Sequence, residues 1–403
     1  SPDLFNGPAT PGGLPRPRAV LVDGEPKVVE SLLRGAPGVA ECTFDRAAAA
    51  WSQSGRGGNF AMGYAQTDAA GEAERPRLLD QALECTRRQV ECCHGAHLGT
   101  VVFHSLGGGT GSGLGVRLVE ELRDAYPQSV LLTTSVLPLA AGENPAQSYN
   151  AVLALSALQE LADAVLLYEN DRLMAGVEAS APRSGDSSSG TAPADAAGWR
   201  GGSLAAMNRL VAQDLLPFLS PPQAAQPFDP GELLAAICPM PTHHFAQAFS
   251  GEAASPHGLA TELKAAVGAL ARSAPRVQRA TAGGGGSLLA GQAVVRGFQV
   301  PDAKALHGEL LDRFGGAAIW QPFGLDLRTS AAPLRSAASS VRVASVVNWK
   351  RVAQVLRAVE ERAQRKYASR AFAHWYDAHG FGRDAFEHAF EVMETVAVNY
   401  EAV

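Results

Sequence analysis

Along the first half of the chain, apolar and polar positions alternate between two periods. Arg18-Ala-Val-Leu-Val-Asp23, Gly99-Thr-Val-Val-Phe-His-Ser105, Ser129 to Leu137 and Ala164 to Tyr168 are short, nearly continuous apolar runs, and each predicts a buried strand. Between them, Arg77 to Val90, Leu114 to Asp124 and Gln147 to Ala162 space their apolar residues as helices do. Such alternation marks a parallel sheet with crossover helices, so an α/β, doubly wound architecture is expected. From Ala179 to Gly202 the chain turns to Ser, Gly, Asp, Ala and Pro without period, which predicts a flexible insertion. A helix from Leu204 to Leu216 follows, then a Pro-broken stretch from Ser220 to Pro230. A second region begins near Gly231. It is expected to contain a helix (Thr261 to Ala271), a Gly283-to-Gly286 loop, a strand (Ala293 to Val300), a helix (Asp302 to Phe314) and a strand (Val341 to Val347). A long charged helix, Lys350 to Tyr367, and a last helix, Arg383 to Tyr400, complete the pattern, with no internal repeat.

Composition narrows the class. With 403 residues, 46% of them hydrophobic, the chain is long enough for two or three domains with a buried core. A net charge of −6 is too mild for a nucleic-acid footprint, and no stretch reaches the ~18 apolar residues of a membrane span, so neither partner is expected. Five cysteines, including adjacent Cys92 and Cys93, fit a reducing compartment better than a disulfide framework. No basic-then-apolar leader argues for secretion.

The candidate chemistry centres on Gly107-Gly-Gly-Thr-Gly-Ser-Gly113, set between a strand and an amphipathic helix. Glycines there let main-chain amides converge on an anion, the helix start adds partial positive charge, and Thr110 and Ser112 offer hydroxyls to phosphate oxygens. The loop lacks the P-loop lysine and no register fits G-x-G-x-x-G, so charge neutralisation is expected from a hydrated Mg²⁺. Asp23 and Glu25 end the first readable strand, where open α/β sheets place ligands, and in an extended segment they share a side. Read alone, Asp-Gly-Glu-Pro is more often only a solvated turn. Cys92-Cys-His-Gly-Ala-His97 lacks zinc-ligand spacing.

Taken together, the motifs resemble the tubulin family. The glycine loop resembles its signature loop, and Pro17-Arg-Ala-Val-Leu-Val-Asp-Gly-Glu-Pro26 the segment that approaches the nucleotide's magnesium. Ser54-Gly-Arg-Gly-Gly-Asn-Phe-Ala-Met-Gly-Tyr64 resembles the γ-phosphate loop, Ser148-Tyr-Asn150 and Tyr168-Glu-Asn170 the ribose and base contacts, and Ala373-His-Trp-Tyr376 the turn between the last helices. Within the family, Arg18 to Val29 and Leu166-Leu-Tyr-Glu-Asn-Asp171 are most similar to the delta-type members. The resemblance implies a nucleotide domain over residues 1–200 with the insertion at about 180–201, a core helix at 202–220, an intermediate domain at 221–348 and a C-terminal helical domain at 349–403. It further implies GTP or GDP with Mg²⁺. Gly107, Gly108, Gly109, Thr110, Gly111, Ser112 and Gly113 would hold the α- and β-phosphates, with Gly55, Gly57, Gly58 and Asn59 by the γ-phosphate. Asp23 and Glu25 would hold the metal through water, and Gln147 the ribose. Leu204 would lie against the base, and Asn170 and Asn208 would read its edge, since an amide offers both donor and acceptor. The implied role is a structural subunit of specialised microtubules of the centriole, basal body and cilium, in the cytoplasm and cytoskeleton. The implied partners are other tubulin-family subunits and microtubule or centriolar proteins.

Several positions depart from the family pattern. Gly58 stands where an asparagine amide is usual, Leu204 where an aromatic ring stacks, and Gln147 where a ribose carboxylate is usual. The family's opening strand and Gly-Gln-Cys-Gly-Asn-Gln loop have no counterpart before Pro17, so the sequence as given is expected to be truncated. A nucleotide-poor scaffold that keeps the fold is the alternative. Asp229 and Glu232, ahead of Cys238-Pro-Met-Pro241, match the segment that completes a neighbour's site, so Glu232 would orient water in trans with Asp229 as companion, a possible GTPase. Asp229-Pro-Gly-Glu232 equally reads as an ordinary helix start.

Overall fold

The computed structural model describes residues 5–6, 14–35, 42–67, 77–93, 97–142, 144–180, 202–220, 228–253, 259–275, 287–297, 300, 302–321, 323–332 and 341–403. Two short ribbons come first. Strand β1 (Phe5–Asn6) pairs antiparallel with β2 (Arg16–Pro17), and β3 (Leu21–Asp23) pairs parallel with β4 (Ala49–Trp51). The main sheet holds β5 (Gly99–Ser105), β6 (Val130–Leu137), β7 (Ala164–Glu169), β8 (Phe245–Ala253), β9 (Leu288–Arg296), β10 (Leu325–Ser330) and β11 (Val341–Trp349). Its spatial order is β10-β9-β11-β8-β7-β6-β5, parallel from β5 to β8, with β11 antiparallel to both β8 and β9. This is the expected α/β architecture with a mixed second half.

Helices cover both faces. One face carries α1 (Pro26–Leu33), α2 (Phe60–Ala65), α3 (Leu78–Glu91), α4 (Gly115–Ala125) and α5 (Gln147–Leu161) around the β3–β4 ribbon and β5 to β7. The other carries α6 (Asn170–Ser180), α7 (Gly202–Leu219) and α8 (Pro230–Ile237), whose Leu173, Met207, Leu215, Leu233 and Ile237 pack on Leu132, Leu166 and Ala246. In the second half, α9 (Leu259–Ser273) and α10 (Ala303–Arg313) lie on the first face. There α11 (Arg351–Ala368), the short α12 (His374–Asp377) and α13 (Arg383–Glu401) form an outer layer over α5. Helix α5 is buried on nearly all sides, which is why its apolar pattern is almost continuous.

The two halves of the sheet meet where β7 and β8 pair through Val165↔Phe245 and Leu166↔Ala246. Tyr400 of α13 closes that junction from the side. Its buried hydroxyl accepts from the Phe245 N–H at 2.9 Å and donates to the Phe245 carbonyl at 2.9 Å.

Several elements differ from expectation. The first strand does not join the main sheet but pairs with β4. The glycine loop becomes helical before Leu114, because Thr110–Leu114 already forms a π-turn. The strand expected at Ala293 to Val300 lies at Leu288–Arg296, since Leu288 and Leu289 belong to the core and Gly297, at φ 83°, ends the strand. Helix α7 continues past Leu216 through Pro217, whose carbonyl accepts from Arg296 Nη2 at 3.1 Å. Of the predicted insertion, residues 179–180 end α6 and Gly202 opens α7, while residues 181–201 and the Gly283-to-Gly286 loop lie outside the described residues.

Candidate functional site

At the end of β5 the chain enters a cradle whose walls are main chain. A Cβ on Gly111 would stand 2.2 Å from the Ser105 carbonyl oxygen, and one on Gly113 2.1 Å from that of Phe60. Only glycine allows these approaches, which clamp the turn between β5 and α2. Gly108 is the exception: nothing lies within 4 Å of its Cβ position, and its N–H has no acceptor among the described residues. The open side of the cradle is therefore at Gly108. Thr110 Oγ1 sits 3.2 Å from the Cβ position of Gly24, across the mouth. Ser112 is turned inward, fully buried, with its hydroxyl donating to the Gly108 carbonyl at 2.5 Å. Of the two expected hydroxyl donors, Thr110 alone faces the mouth.

Asp23 and Glu25 reach the same mouth from β3. Glu25 is exposed, and its Oε1 lies 3.0 Å from the Cβ position of Gly55, so this carboxylate faces the 55–58 loop. Half-buried Asp23 accepts the Glu25 N–H at 3.4 Å. Gly57 and Gly58 take φ of 56° and 62°, which turns the loop into α2. Asn59 is buried and its amide is committed. Its Oδ1 accepts from Ala61 N at 2.7 Å as the helix cap, and its Nδ2 donates to the Trp375 carbonyl at 3.1 Å. The main chain of Asn59 borders the cradle, 2.6 Å from the Cβ position of Gly109, while its side chain serves the fold.

Asn150, from the Ser148-Tyr-Asn150 motif, and Asn144, which no motif marks, tie the loops together. Asn150 is fully buried; its Nδ2 donates to the Gly58 carbonyl at 2.6 Å and the Gly107 carbonyl at 2.9 Å. Its Oδ1 accepts from Phe60 N at 2.8 Å and the Tyr376 hydroxyl at 2.6 Å. Asn144 Nδ2 also donates to Gly58, at 3.1 Å. Asn150 thus acts as a brace between the two loops rather than as the ribose or base contact its motif suggested. Gln147 is likewise nearly buried, donating to the Leu139 carbonyl at 2.7 Å.

The third group stands apart. Asn170 opens α6, while Leu204 and Asn208 lie on α7, which packs against α6 through Leu173, Met207 and the Gly176–Leu210 contact. Leu204 is 58% exposed and Asn208 is exposed. Below them, buried Asp214 of α7 accepts the Ser250 hydroxyl at 2.5 Å. Burial pushes the Asp214 carboxyl up to about 7, against the lowering effects of Ser250 and Arg172.

Asp229 and Glu232 occupy the opposite end of the sheet. Asp229 caps α8, accepting from Gly231 N at 2.8 Å, and Pro230 lies against Gly99 at the start of β5. With the glycine loop at the other end of β5, the separation along the strand is ~20 Å at ~3.3 Å rise per residue. Exposed Glu232 pairs with Arg328 Nη2 at 2.8 Å, and Arg328 Nε is held by Asp326 at 2.8 Å. Among the described residues, no group of three His, Cys, Asp or Glu side chains forms a metal cage, and no helix is long and apolar enough to cross a membrane.

Residues 11–178, which contain the cradle and its braces, match the family model described as Tubulin/FtsZ family, GTPase domain. That segment is a tubulin-family domain. The chain is similar to the Tubulin delta chain of Homo sapiens, 36% identical over 161 residues (40% of this chain and 34% of that one). It is also similar to the Tubulin beta-1 chain of Colletotrichum graminicola, 37% over 158 residues (39% and 33%), and to the Tubulin beta-3 chain of Zea mays, 37% over 163 (40% and 34%). The chain spans about a third of the length of the curated relatives it matches. The tubulin-family match ends at α6, so the cradle lies inside it, whereas Leu204, Asn208, Asp229 and Glu232 lie beyond it.

Proposed function

We propose that this chain binds a guanosine di- or triphosphate with Mg²⁺ and acts as a tubulin-family structural subunit of specialised microtubules of the centriole, basal body and cilium, associating end to end with other subunits in a nucleotide-dependent way. The observation that carries the reading is the main-chain cradle that is closed everywhere except at Gly108, with Thr110, Asp23 and Glu25 around its mouth. Amides at a helix start suit phosphate, and hard carboxylate oxygens suit a hydrated Mg²⁺, so the residues fit both groups. When bound, the ion supplies the positive charge that a lysine-free loop lacks. Gly107 to Gly113 would hold the α- and β-phosphates, and the main chain from Gly55 to Asn59 would border the γ-phosphate. Asn170 and Asn208 would read the base edge. The delta and beta chains that the segment resembles support a microtubule role, and the centriolar assignment follows the delta-type motifs.

Hydrolysis, in this reading, needs a second subunit. Glu232 is a strand's length from its own glycine loop and exposed, so it can orient water on a neighbour's nucleotide but not on its own. Asp229 serves that carboxylate by fixing the start of α8. Glu232→Ala is expected to slow GTP turnover in assembled samples and leave dispersed protein unchanged; equal turnover in assemblies refutes the role.

A second reading, a nucleotide-poor scaffold, is favoured by the committed amides of Asn59 and Gln147 and by exposed Leu204. Denaturing purified full-length protein and running the supernatant on an anion-exchange column separates the two. Guanine nucleotide near one equivalent supports the first reading, and an empty supernatant, with no uptake of added GDP, supports the scaffold.

A further inference from the structure

The π-turn in the glycine loop moves one N–H off its α-helical acceptor. The Gly115 N–H bonds the carbonyls of Thr110 and Ser112 and skips that of Gly111. A side-chain donor reaches that carbonyl from β5: His104 Nδ1 lies 2.7 Å from the Gly111 oxygen. Its other nitrogen, Nε2, lies 2.8 Å from the Ser135 hydroxyl on the adjacent strand, and Ser135 Oγ is 3.2 Å from Thr133 Oγ1. A carbonyl can only accept, so Nδ1 must carry the proton, while the Ser135 hydroxyl can serve Nε2 in either role. Desolvation pushes His104 down to about 4, against the raising effect of the Gly111 carbonyl, and so keeps the ring neutral. The sequence makes room for this contact at Gly115, where a Cβ would stand 2.9 Å from Nδ1.

We propose that His104 is a positioning residue for the phosphate loop: its Nδ1–H, with the ring oriented by the Ser135 contact at Nε2, holds the Gly111 carbonyl out of the helix ladder and thereby sets the direction of the amides from Gly108 to Gly111. This rests on the reading of the loop as a phosphate cradle. Without the imidazole, the Gly111 carbonyl loses its side-chain donor and takes the Gly115 N–H in an ordinary α-turn, which swings the preceding peptides. The loop then keeps its glycines and loses its aim.

The test uses the full-length protein and GDP dissociation constants for the wild type, His104→Phe, His104→Asn and Ser135→Ala. Phenylalanine fills the space without a donor, and asparagine places its Nδ2 near the position of Nδ1. We expect His104→Phe to weaken GDP by roughly tenfold or more, the equivalent of one lost hydrogen bond. His104→Asn should recover to within about threefold of the wild type, and Ser135→Ala should fall between, because the ring loses the contact that orients it at Nε2. A well-folded His104→Phe that binds as the wild type does overturns the proposal, as does an asparagine variant no better than phenylalanine. A wild type that binds no nucleotide refutes the cradle reading itself, a different result. Should His104→Phe fail to fold, imidazole ¹⁵N shifts of the wild type decide: an Nδ1-protonated ring supports the proposal and an Nε2-protonated ring overturns it.

Discussion

At the end of β5, the strand, the 55–59 loop and α2 meet main chain to main chain around Gly111 and Gly113, braced by a fully buried Asn150. On α7, by contrast, Leu204 and Asn208 stand exposed, with no side-chain hydrogen bond to Asn208 among the described residues. The first end is specified by contacts that tolerate no added atom. The second is specified by a helix whose own position is set from below, by Asp214 on Ser250. On the proposed reading, grip on a phosphate and choice of a base are thus separable. The first would be built into the backbone, and the second would depend on side chains that can be exchanged without disturbing the core.

The harshest way to break the comparison is Thr110→Ala combined with Gly111→Ala. The added methyl at 111 meets the Ser105 oxygen at 2.2 Å, so nucleotide retention should fall by more than about a hundredfold, read by chromatography of released nucleotide. Unchanged retention would remove the cradle from the account. Next comes Asn150→Ala, which orphans the Phe60 N–H, leaves the Gly58 and Gly107 carbonyls to Asn144 alone and the Tyr376 hydroxyl to the Ala146 carbonyl; urea unfolding should show a loss of ~1–3 kcal/mol together with weaker nucleotide binding.

The base end should answer to pH instead. Asp214 has a native value raised to about 7, so the folded chain keeps a proton that the unfolded chain releases above ~4. Its contribution is present below pH ~4 and is lost as pH rises toward 7, at most ~1.4 kcal/mol per unit. Asp214→Asn should flatten that decline; denaturation midpoints between pH 4.5 and 7.5 that run parallel for the two proteins would show that the carboxyl titrates normally. The smallest expected effect is a gain. Leu204→Tyr offers a ring to the base, worth ~0.5–1.5 kcal/mol, so GDP should bind roughly two- to tenfold tighter with the phosphate end untouched.

What could be read from the sequence follows the same division. Strands β5, β6 and β7 and helices α3, α5 and α11 lie within a residue or two of expectation, because each is specified by its own apolar period. The glycine loop was visible for the same reason: its chemistry is local. Strand β8 was not, because Gln247, Ser250 and Gly251 interrupt its apolar run. Gln247 is buried there as the acceptor of Trp349 Nε1 at 2.9 Å, a partner on another strand. Asn59 and Asn150 were visible as site residues but not as what they do, since the Trp375 carbonyl and the Tyr376 hydroxyl arrive from the C-terminal layer. The inward turn of Ser112 is not legible in the sequence, because its hydroxyl bonds the Gly108 carbonyl four residues back only once the loop has become helical.

Tyr400 carries a consequence for how the outer layer communicates with the interior. By taking both polar groups of Phe245, its phenol behaves as one extra residue of sheet, contributed by a helix. Anything that peels α13 away therefore strips a buried N–H and a buried C=O of their partners, ~1–3 kcal/mol each, at the seam where the parallel half gives way to the mixed half. A ligand gripping the outside of that helix would have a mechanical handle on the spine of the protein.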